Sequence, residues 1–163
     1  MKKAIVLTTI LQLFVLVNFA QVKVQYLLTE NLTNPIGLDV TQPRFSWKLV
    51  ADSRRDVMQS AYEIMVSSPK GNVWKSGKVM SDSSVHVAYK GAALQSGTKY
   101  AWEIRVWDNS SDKPSAWSEP AFFQTALLNA SDWKAKWITP GYVEDSVMRP
   151  SPYFRKQFDA KKK

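Results

Sequence analysis

The sequence contains no cysteine, a single histidine and only six glycines among its 163 residues. Without cysteine, no disulfide can stabilise an exported fold, no thiol can act as a nucleophile and no lipid can be attached through sulfur. The lone His86 alternates with Val85 and Val87, so we interpret it as an exposed residue of a sheet and not as part of a catalytic triad or a transition-metal site. The glycines are scattered and form no phosphate-binding loop.

The acidic residues do not form a recognisable catalytic pair. A glycosidase site needs two carboxyl groups about 5 to 9.5 Å apart, one of them with a raised pKa. No acid here has the apolar surroundings that would raise its pKa, since these side chains fall in turns or on outward strand positions: Asp39, Asp52, Asp56, Asp82 and Asp112 in turns, Glu63 and Glu103 in strands. We therefore expect no catalytic, cofactor-binding or metal-binding residue in this chain.

The positive charge is concentrated at the two ends of the chain. The formal net charge of +8 falls to +6 without Lys2 and Lys3, and to +3 when Lys161, Lys162 and Lys163 are also set aside. In the remainder, Lys and Arg alternate with apolar residues and do not cluster on a groove-reading element. This pattern argues against a nucleic acid partner.

Residues 1–20 have the pattern of a secretory signal peptide. Lys2 and Lys3 form a basic start, a mostly apolar run covers residues 4–17, and Ala20 is a small residue suited to cleavage, although the cleavage position stays open. We expect an exported protein, periplasmic or extracellular, with no membrane attachment after cleavage. The absence of cysteine excludes a lipoprotein anchor in the mature chain.

From Val22 to Thr125 the chain alternates apolar and polar residues between turn-forming clusters, which predicts seven short strands. This number and spacing favour an all-β, two-sheet sandwich of the immunoglobulin or fibronectin type III kind, occupying residues 21–126, with Greek-key connections. The expected inward residues are Val22, Val24 and Tyr26; Phe45, Trp47 and Leu49; Tyr62, Ile64 and Val66; Val85, Val87 and Tyr89; and Tyr100, Trp102, Ile104 and Val106. We interpret residues 34–43 as a turn-rich connection, and residues 120–125 as an edge-like strand that starts with Pro120.

The longest predicted strand carries two signals. Tyr100 opens it, preceded by Leu94 and Thr98, and can turn its hydroxyl back onto the loop backbone as in the tyrosine corner of such sandwiches. On the outward side, Glu103, Arg105 and Trp107 share a face.

Trp107 and Trp117 are the two tryptophans for which a site has to be considered. An exposed indole could stack on a sugar, while packing along an arginine stem would make the same face a scaffold feature. We favour packing, and keep sugar binding and a domain contact as alternatives for Glu103, Arg105, Trp107 and Trp117. We expect structural roles for Tyr100, Leu94, Trp47 and Trp102.

Residues 127–163 do not fit the sandwich. They carry aromatic-rich segments around Trp133, Trp137, Tyr153 and Phe158 that cannot bury themselves, because an isolated hairpin is only marginally stable in water. The sequence therefore predicts a linker and the first strands of an incomplete second β-sandwich domain, so that the chain would be a fragment of a longer protein.

Several short motifs recur in a characteristic order from about residue 22 to residue 158: Asn34-Pro35, Pro43-Arg44-Phe45-Ser46-Trp47, Gln59 with Ala61-Tyr62, Ser76-Gly77, Trp107-Asp108, Trp117-Ser118, and Asp132-Trp133 with Trp137-Ile138. In this order they resemble the amino-terminal region of secreted bacterial α-L-rhamnosidases. Two positions depart from that pattern. Lys75 stands where an acid is expected before Ser76-Gly77, and Ala126 stands where a glycine often precedes Leu127-Leu128. Neither departure affects a catalytic residue.

The resemblance implies a non-catalytic scaffold module. In that family a fibronectin type III-like module comes first, a β-sandwich follows, and an (α/α)6 barrel removes terminal α-L-rhamnose from plant polysaccharides or glycosides with inversion. The catalytic carboxylates belong to the barrel, so no residue of this chain matches them. The partners implied are the downstream domains of the same parent chain, and possible ligands are rhamnose-containing glycans. The alternative is a free-standing carbohydrate-binding or adhesion module.

Overall fold

The computed structural model describes residues 22–51, 54–143, 145, 147–148 and 151–159, so the predicted signal peptide lies outside the described residues. In these ranges the secondary structure consists of strands and one short 3₁₀ helix. The strands are β1 Lys23–Thr29, β2 Ile36–Leu38, β3 Arg44–Val50, β4 Gln59–Ser68, β5 Gly71–Lys75, β6 Val79–Met80, β7 Val87–Ala88, β8 Lys99–Asp108 and β9 Ala121–Thr125, and the 3₁₀ helix is Ala130–Asp132. No helix in these ranges is long and apolar enough to span a membrane.

The strands form two sheets. The smaller has the order β1-β3-β7, and the larger has the order β2-β9-β8-β4-β5 with β6 also paired to β4. All pairs are antiparallel except β2 with β9, which is parallel. The two sheets enclose a common core, which confirms the predicted all-β immunoglobulin-like sandwich.

The core between the sheets is largely aromatic. Phe45 from β3 and Trp102 from β8 are fully buried, with their ring centroids 4.4 Å apart. Both core indoles find an acceptor for their N–H, as burial of a polar atom requires. Trp102 Nε1 donates to Thr29 Oγ1 at 3.1 Å, and Trp47 Nε1 donates to Gln59 Oε1 at 2.9 Å. Each of these bonds joins a strand of the smaller sheet to a strand of the larger sheet.

The tyrosine corner is formed as a hydrogen bond from the loop to the ring hydroxyl. The backbone N–H of Gln95 donates to the Tyr100 hydroxyl at 2.8 Å, and the Tyr100 ring stacks on Phe123 with centroids 5.2 Å apart. Tyr100 and Leu94 are both buried. The loop before β8 is therefore held by a side chain from β8 itself.

The predicted inward position of Tyr26 is wrong. Val22 and Val24 are buried as expected, but Tyr26 is 65% exposed and has a φ of +55°. The pairing of β1 with β3 shifts register between Gln25 and Leu28. An irregularity of this kind turns the following side chains over, so the simple alternation ends at Gln25.

The strand predicted around His86 is also shorter than expected. Val85 is 63% exposed, against the prediction that it points inward, whereas Tyr89 is buried. His86 is exposed, but with a φ of +54° it precedes the two-residue strand β7 and does not lie within it. Its backbone N–H donates to Ser46 Oγ at 3.0 Å, which holds the chain in this local conformation instead of in a ladder.

The edge position predicted for the last strand is wrong. β9 begins at Ala121, one residue after Pro120, and its outer edge is covered by β2, which lies in the region interpreted as a turn-rich connection. The two strands are far apart in sequence and pair in parallel, so no local pattern signals the contact. β2 also contains Gly37 at a φ of +80°, which breaks the alternation.

The chain divides into two compact units, one ending at Asp132 and the other beginning at Trp133. In the described part of the second unit no residue lies in a strand, so the first strands predicted there are not formed in this structure. Its aromatic residues are largely exposed, Trp137 at 91% among them, although the rings of Trp133 and Trp137 lie 6.4 Å apart. Among the described residues of this unit these side chains form no core of their own, and the incomplete second domain stays a prediction.

Replacing Tyr100 by Phe should destabilise the sandwich without changing its fold. The change leaves the Gln95 N–H without its acceptor in a partly buried setting, which costs about 1 to 3 kcal/mol. Urea denaturation measures the loss, and Tyr26→Phe, at an exposed tyrosine, is the control and should change the unfolding free energy by less than about 0.5 kcal/mol. Equal effects of the two substitutions would contradict the role of the corner.

Candidate functional site

The outward face of β8 is the surface on which the sequence placed its candidate site. Ile104 and Val106 point into the core and are buried, so the residues that alternate with them, Glu103, Arg105 and Trp107, face outward. This alternation agrees with the predicted parity. Trp107 is nevertheless only 7% exposed, because neighbouring side chains cover it.

An ion pair crosses this face between the two central strands. Arg105 of β8 lies opposite Glu63 of β4 in the strand register. Arg105 Nε donates to Glu63 Oε2 at 2.7 Å, and the guanidinium NH2 group lies 2.6 Å from the same oxygen. The pair is partly exposed and fixes the plane of the guanidinium group, which matters for what stacks on it.

The guanidinium group of Arg105 lies over two indole rings. Its central carbon lies 4.8 Å from the ring centroid of Trp117 and 5.4 Å from that of Trp107, and Lys78 Nζ lies 4.7 Å from the Trp107 ring. We call Lys78, Trp107, Arg105 and Trp117 the outer ladder. Cation–π contacts of this kind contribute about 0.5 to 1 kcal/mol at exposed sites and more when partly desolvated.

Two serines of the loop between β8 and β9 position Trp117, and neither was predicted from the sequence. Ser118 donates its N–H to the Ile104 carbonyl at 2.8 Å and accepts from the Ile104 N–H through its hydroxyl at 3.1 Å. Ser115 does the same with Val106, at 2.7 and 3.1 Å. These paired bonds continue the hydrogen bonding along the edge of β8 with the segment that precedes β9, and they hold Trp117 against Arg105. The signal was the repeat Ser115-x-x-Ser118 beside Trp117.

Glu103 lies outside the ladder. Its register partner across β4 is Met65, and among the described residues its side chain makes no hydrogen bond or ion pair. The structure therefore brings together Arg105, Trp107 and Trp117 of the four predicted site residues, and it leaves Glu103 beside them as a half-buried carboxylate.

A groove is lined in part by Trp117. It has a volume of about 380 Å³ and is lined by residues of 22–25, at the start of β1, and by residues 116–119 of the loop. Lys23, Gln25 and Glu119 supply polar groups and Trp117 supplies an aromatic edge. This is the place near the outer ladder where a small polar ligand would have room.

Among the described residues, every carboxylate with a perturbed pKa has that pKa shifted downward. The hydrogen bonds from Arg44 hold the pKa of Glu30 below its ordinary value. Burial opposes ionisation of Asp108, but the hydrogen bonds from Ser110 and the pairing with Arg54 outweigh it, so the pKa of Asp108 is also lowered. A general acid needs the opposite shift. Within the described ranges no three His, Asp or Glu side chains are grouped closely enough to hold a metal ion.

Comparison with known proteins gives one consistent family. The model of the Rha78A-like, N-terminal immunoglobulin domain matches residues 24–129. An α-L-rhamnosidase of Streptomyces avermitilis is 44% identical over 117 residues, which is 68% of this chain and 11% of the relative. One of Formosa agariphila is 43% identical over 115 residues, or 66% of this chain and 12% of the relative.

Solved structures agree with this match. The crystal structure of the Streptomyces avermitilis α-L-rhamnosidase complexed with L-rhamnose superposes with a TM-score of 0.68 and 41% identity, covering 72% of this chain and 12% of that chain. The chain thus spans only about a tenth of the length of these two curated relatives.

Replacing Arg105 by Ala should destabilise the fold and loosen Trp117. The change removes the ion pair with Glu63 and both ring contacts, with an expected loss of about 1 to 2 kcal/mol. Urea denaturation followed by near-ultraviolet circular dichroism reports the stability and the tryptophan environment together. The matched control is Glu103→Ala on the same face of β8, expected within about 0.5 kcal/mol of the unsubstituted chain. Similar losses for both variants would show that the ladder does not stabilise this face.

Proposed function

The chain belongs to the family of Rha78A-like N-terminal immunoglobulin domains, and from this membership we propose that it is the non-catalytic amino-terminal scaffold of a secreted α-L-rhamnosidase. The observation that carries the proposal is the match of residues 24–129 to this domain, together with identities above 40% to α-L-rhamnosidases over about two thirds of the chain. Because the matched region is about a tenth of each enzyme, most of each relative lies outside it.

The non-catalytic part of the proposal is supported by the described acids. Removal of a terminal rhamnose with inversion requires one carboxylic acid to protonate the leaving group and a second carboxylate to activate water, about 6.5 to 9.5 Å away. Glu30 and Asp108 have lowered pKa values because they are hydrogen bonded and ion paired, so they are poor proton donors near neutral pH. We assign the hydrolysis of terminal α-L-rhamnose in plant polysaccharides or glycosides to downstream domains of the parent chain.

The scaffold role is supported by the outer ladder. Trp107 is almost fully covered, and the Arg105 guanidinium group lies over the rings of both Trp107 and Trp117. A sugar-binding platform needs an indole face open to solvent. The residues that suggested a site are therefore better explained by packing within the domain. Export, to the periplasm or beyond the cell, is part of the proposal and is supported by the signal-peptide pattern of residues 1–20.

Glycan binding is the second candidate, and the groove beside Trp117 is the observation that favours it. Trp117 is half-buried, and Lys23, Gln25 and Glu119 lie within reach of a ligand in this groove. A rhamnose-containing oligosaccharide would bring the hydroxyl groups and the apolar ring face that such a lining can contact. This candidate and the scaffold make opposite predictions for binding by the isolated chain.

A domain exchange tests the scaffold. We expect that residues 24–129 of this chain, exchanged into the aligned region of the Streptomyces avermitilis α-L-rhamnosidase, keep kcat/KM for an aryl α-L-rhamnoside within about threefold of the parent enzyme. Deleting the region without replacement should lower Tm by about 5 °C or more, or abolish soluble expression, because surface packed against the module becomes exposed. An active deletion variant of unchanged Tm would contradict the scaffold, as would turnover by the 163-residue chain alone.

Titration with sugars separates the two candidates. L-rhamnose and rhamnose-containing oligosaccharides are added to the 163-residue chain while tryptophan fluorescence and calorimetric heat are followed. The scaffold predicts no saturable signal. Saturable binding that is lost in Trp117→Ala but kept in Trp137→Ala, an exposed tryptophan of the second unit, would favour the glycan-binding module instead.

A further inference from the structure

The chain does not leave the sandwich where its last strand ends. β9 ends at Thr125, but the next residue is bonded on both sides. The Ala126 N–H donates to the Leu38 carbonyl at 2.6 Å, and the Ala126 carbonyl accepts from the Gly97 N–H at 3.0 Å. The first residue after β9 is thus held by the loop that precedes β8 and by the end of β2.

Ser96 extends this attachment further along the chain. Its hydroxyl accepts a hydrogen bond from the Leu128 N–H at 2.8 Å and donates to a carboxylate oxygen of Asp132. A serine hydroxyl has one proton to donate and lone pairs to accept, and an ionised carboxylate only accepts, so the two bonds are compatible. The side chain of Ser96, in the loop before β8, therefore bonds to two points on the segment after β9.

Asp132 completes the arrangement from the other end. The same carboxylate oxygen accepts from the Asn129 backbone N–H at 3.1 Å and from Asn129 Nδ2 at 3.0 Å, while the Asp132 N–H donates to the Asn129 carbonyl at 3.0 Å. The hydrogen bonds from Ser96 and Asn129 hold the pKa of Asp132 below its ordinary value, so the carboxylate is ionised near neutral pH. These bonds close the 3₁₀ turn at Ala130–Asp132.

Ser96 is itself held by rigid neighbours. The adjacent Gln95 donates its N–H to the Tyr100 hydroxyl at 2.8 Å and accepts from the Thr125 hydroxyl at 2.6 Å. Thr125 and Tyr100 are both at least 98% buried in the sandwich. The serine is therefore presented by a loop whose backbone is fixed on both sides, and it does not have to be ordered by the segment that it binds.

We propose that Ser96 and Asp132 form a clamp that makes residues 126–132 the carboxyl-terminal cap of the sandwich and fixes the point from which the following chain departs. Residues 126–132 then behave as part of the domain and not as a flexible linker, for which their sequence, with four apolar residues and no glycine, is also unsuited. In a rhamnosidase the clamp would set where the next domain begins, a consequence that rests on the proposed function. The clamp itself does not.

Backbone dynamics of the 163-residue chain test the clamp. In the unsubstituted protein, ¹⁵N order parameters of residues 128–132 should match those of β9, at about 0.8 or above. Ser96→Ala should lower them below about 0.6 while β8 and β9 keep their values, since the Gln95 bond to Tyr100 is untouched. The matched control is Ser131→Ala, an exposed serine of the same segment, which should change nothing.

Hydrogen exchange gives a second readout that a general loss of stability would not reproduce. In Ser96→Ala the Leu128 amide should exchange at least about tenfold faster, while the Gln95 amide, whose acceptor is Tyr100, stays protected. Asp132→Ala should free the Asn129 amide in the same way, and Ser96→Thr, which keeps the hydroxyl, should retain the protection of Leu128. Low order parameters for residues 128–132 in the unsubstituted chain, or equal protection of Leu128 with and without the Ser96 hydroxyl, would overturn the proposal. Neither result would bear on the rhamnosidase assignment, which is tested by activity.

Discussion

The structure depends on one register, that of β4 against β8 at the centre of the larger sheet. With Ile64 opposite Ile104 on the inner side, Glu63 must lie opposite Arg105 on the outer side, because side chains alternate with a period of two. If β4 slipped by one residue against β8, Ile64 would turn to solvent and Glu63 would turn into the core. Core packing and the Glu63–Arg105 pair therefore select the same register, and neither could be changed without the other.

The features that the sequence predicted well are those encoded within one short segment. β8 carries its inward residues, its outward residues and Tyr100 near its start within Lys99–Asp108. The period-two alternation and the turn residues before the strand were therefore sufficient to predict it. The predictions for Tyr26, Val85 and β2 were wrong for a shared reason. The conformation of each of these parts depends on a partner that is far away in sequence. The bulge in β1 is imposed by pairing with β3, and the position of β2 by pairing with β9. Alternation inside a segment carries no information on such constraints.

The outer ladder shows how a surface rich in charge and tryptophan can be a scaffold. Sequence parity placed Arg105 and Trp107 on one face, but it could not place Trp117, which arrives on a loop held by Ser115 and Ser118. Each serine uses its N–H and its hydroxyl on one residue of β8, so the loop bonds to β8 as a strand would, in the segment before β9 begins. This arrangement places a second indole against Arg105. The outward face of β8, which could otherwise have bound a ligand, is thereby covered by side chains of the same chain.

The loop of residues 94–98 has two roles. It forms the tyrosine corner that is typical of this fold, and it binds the segment by which the chain leaves the sandwich. Tyr100 fixes Gln95 from within the core, Thr125 fixes the same residue from the last strand, and the neighbouring Ser96 binds the segment that follows. A sandwich domain must hold its final strand against fraying, because the last residues of a domain are poorly ordered unless something ties them down. Here the tie comes from the corner that also defines the start of β8, so order at the exit of the chain follows from order in the core.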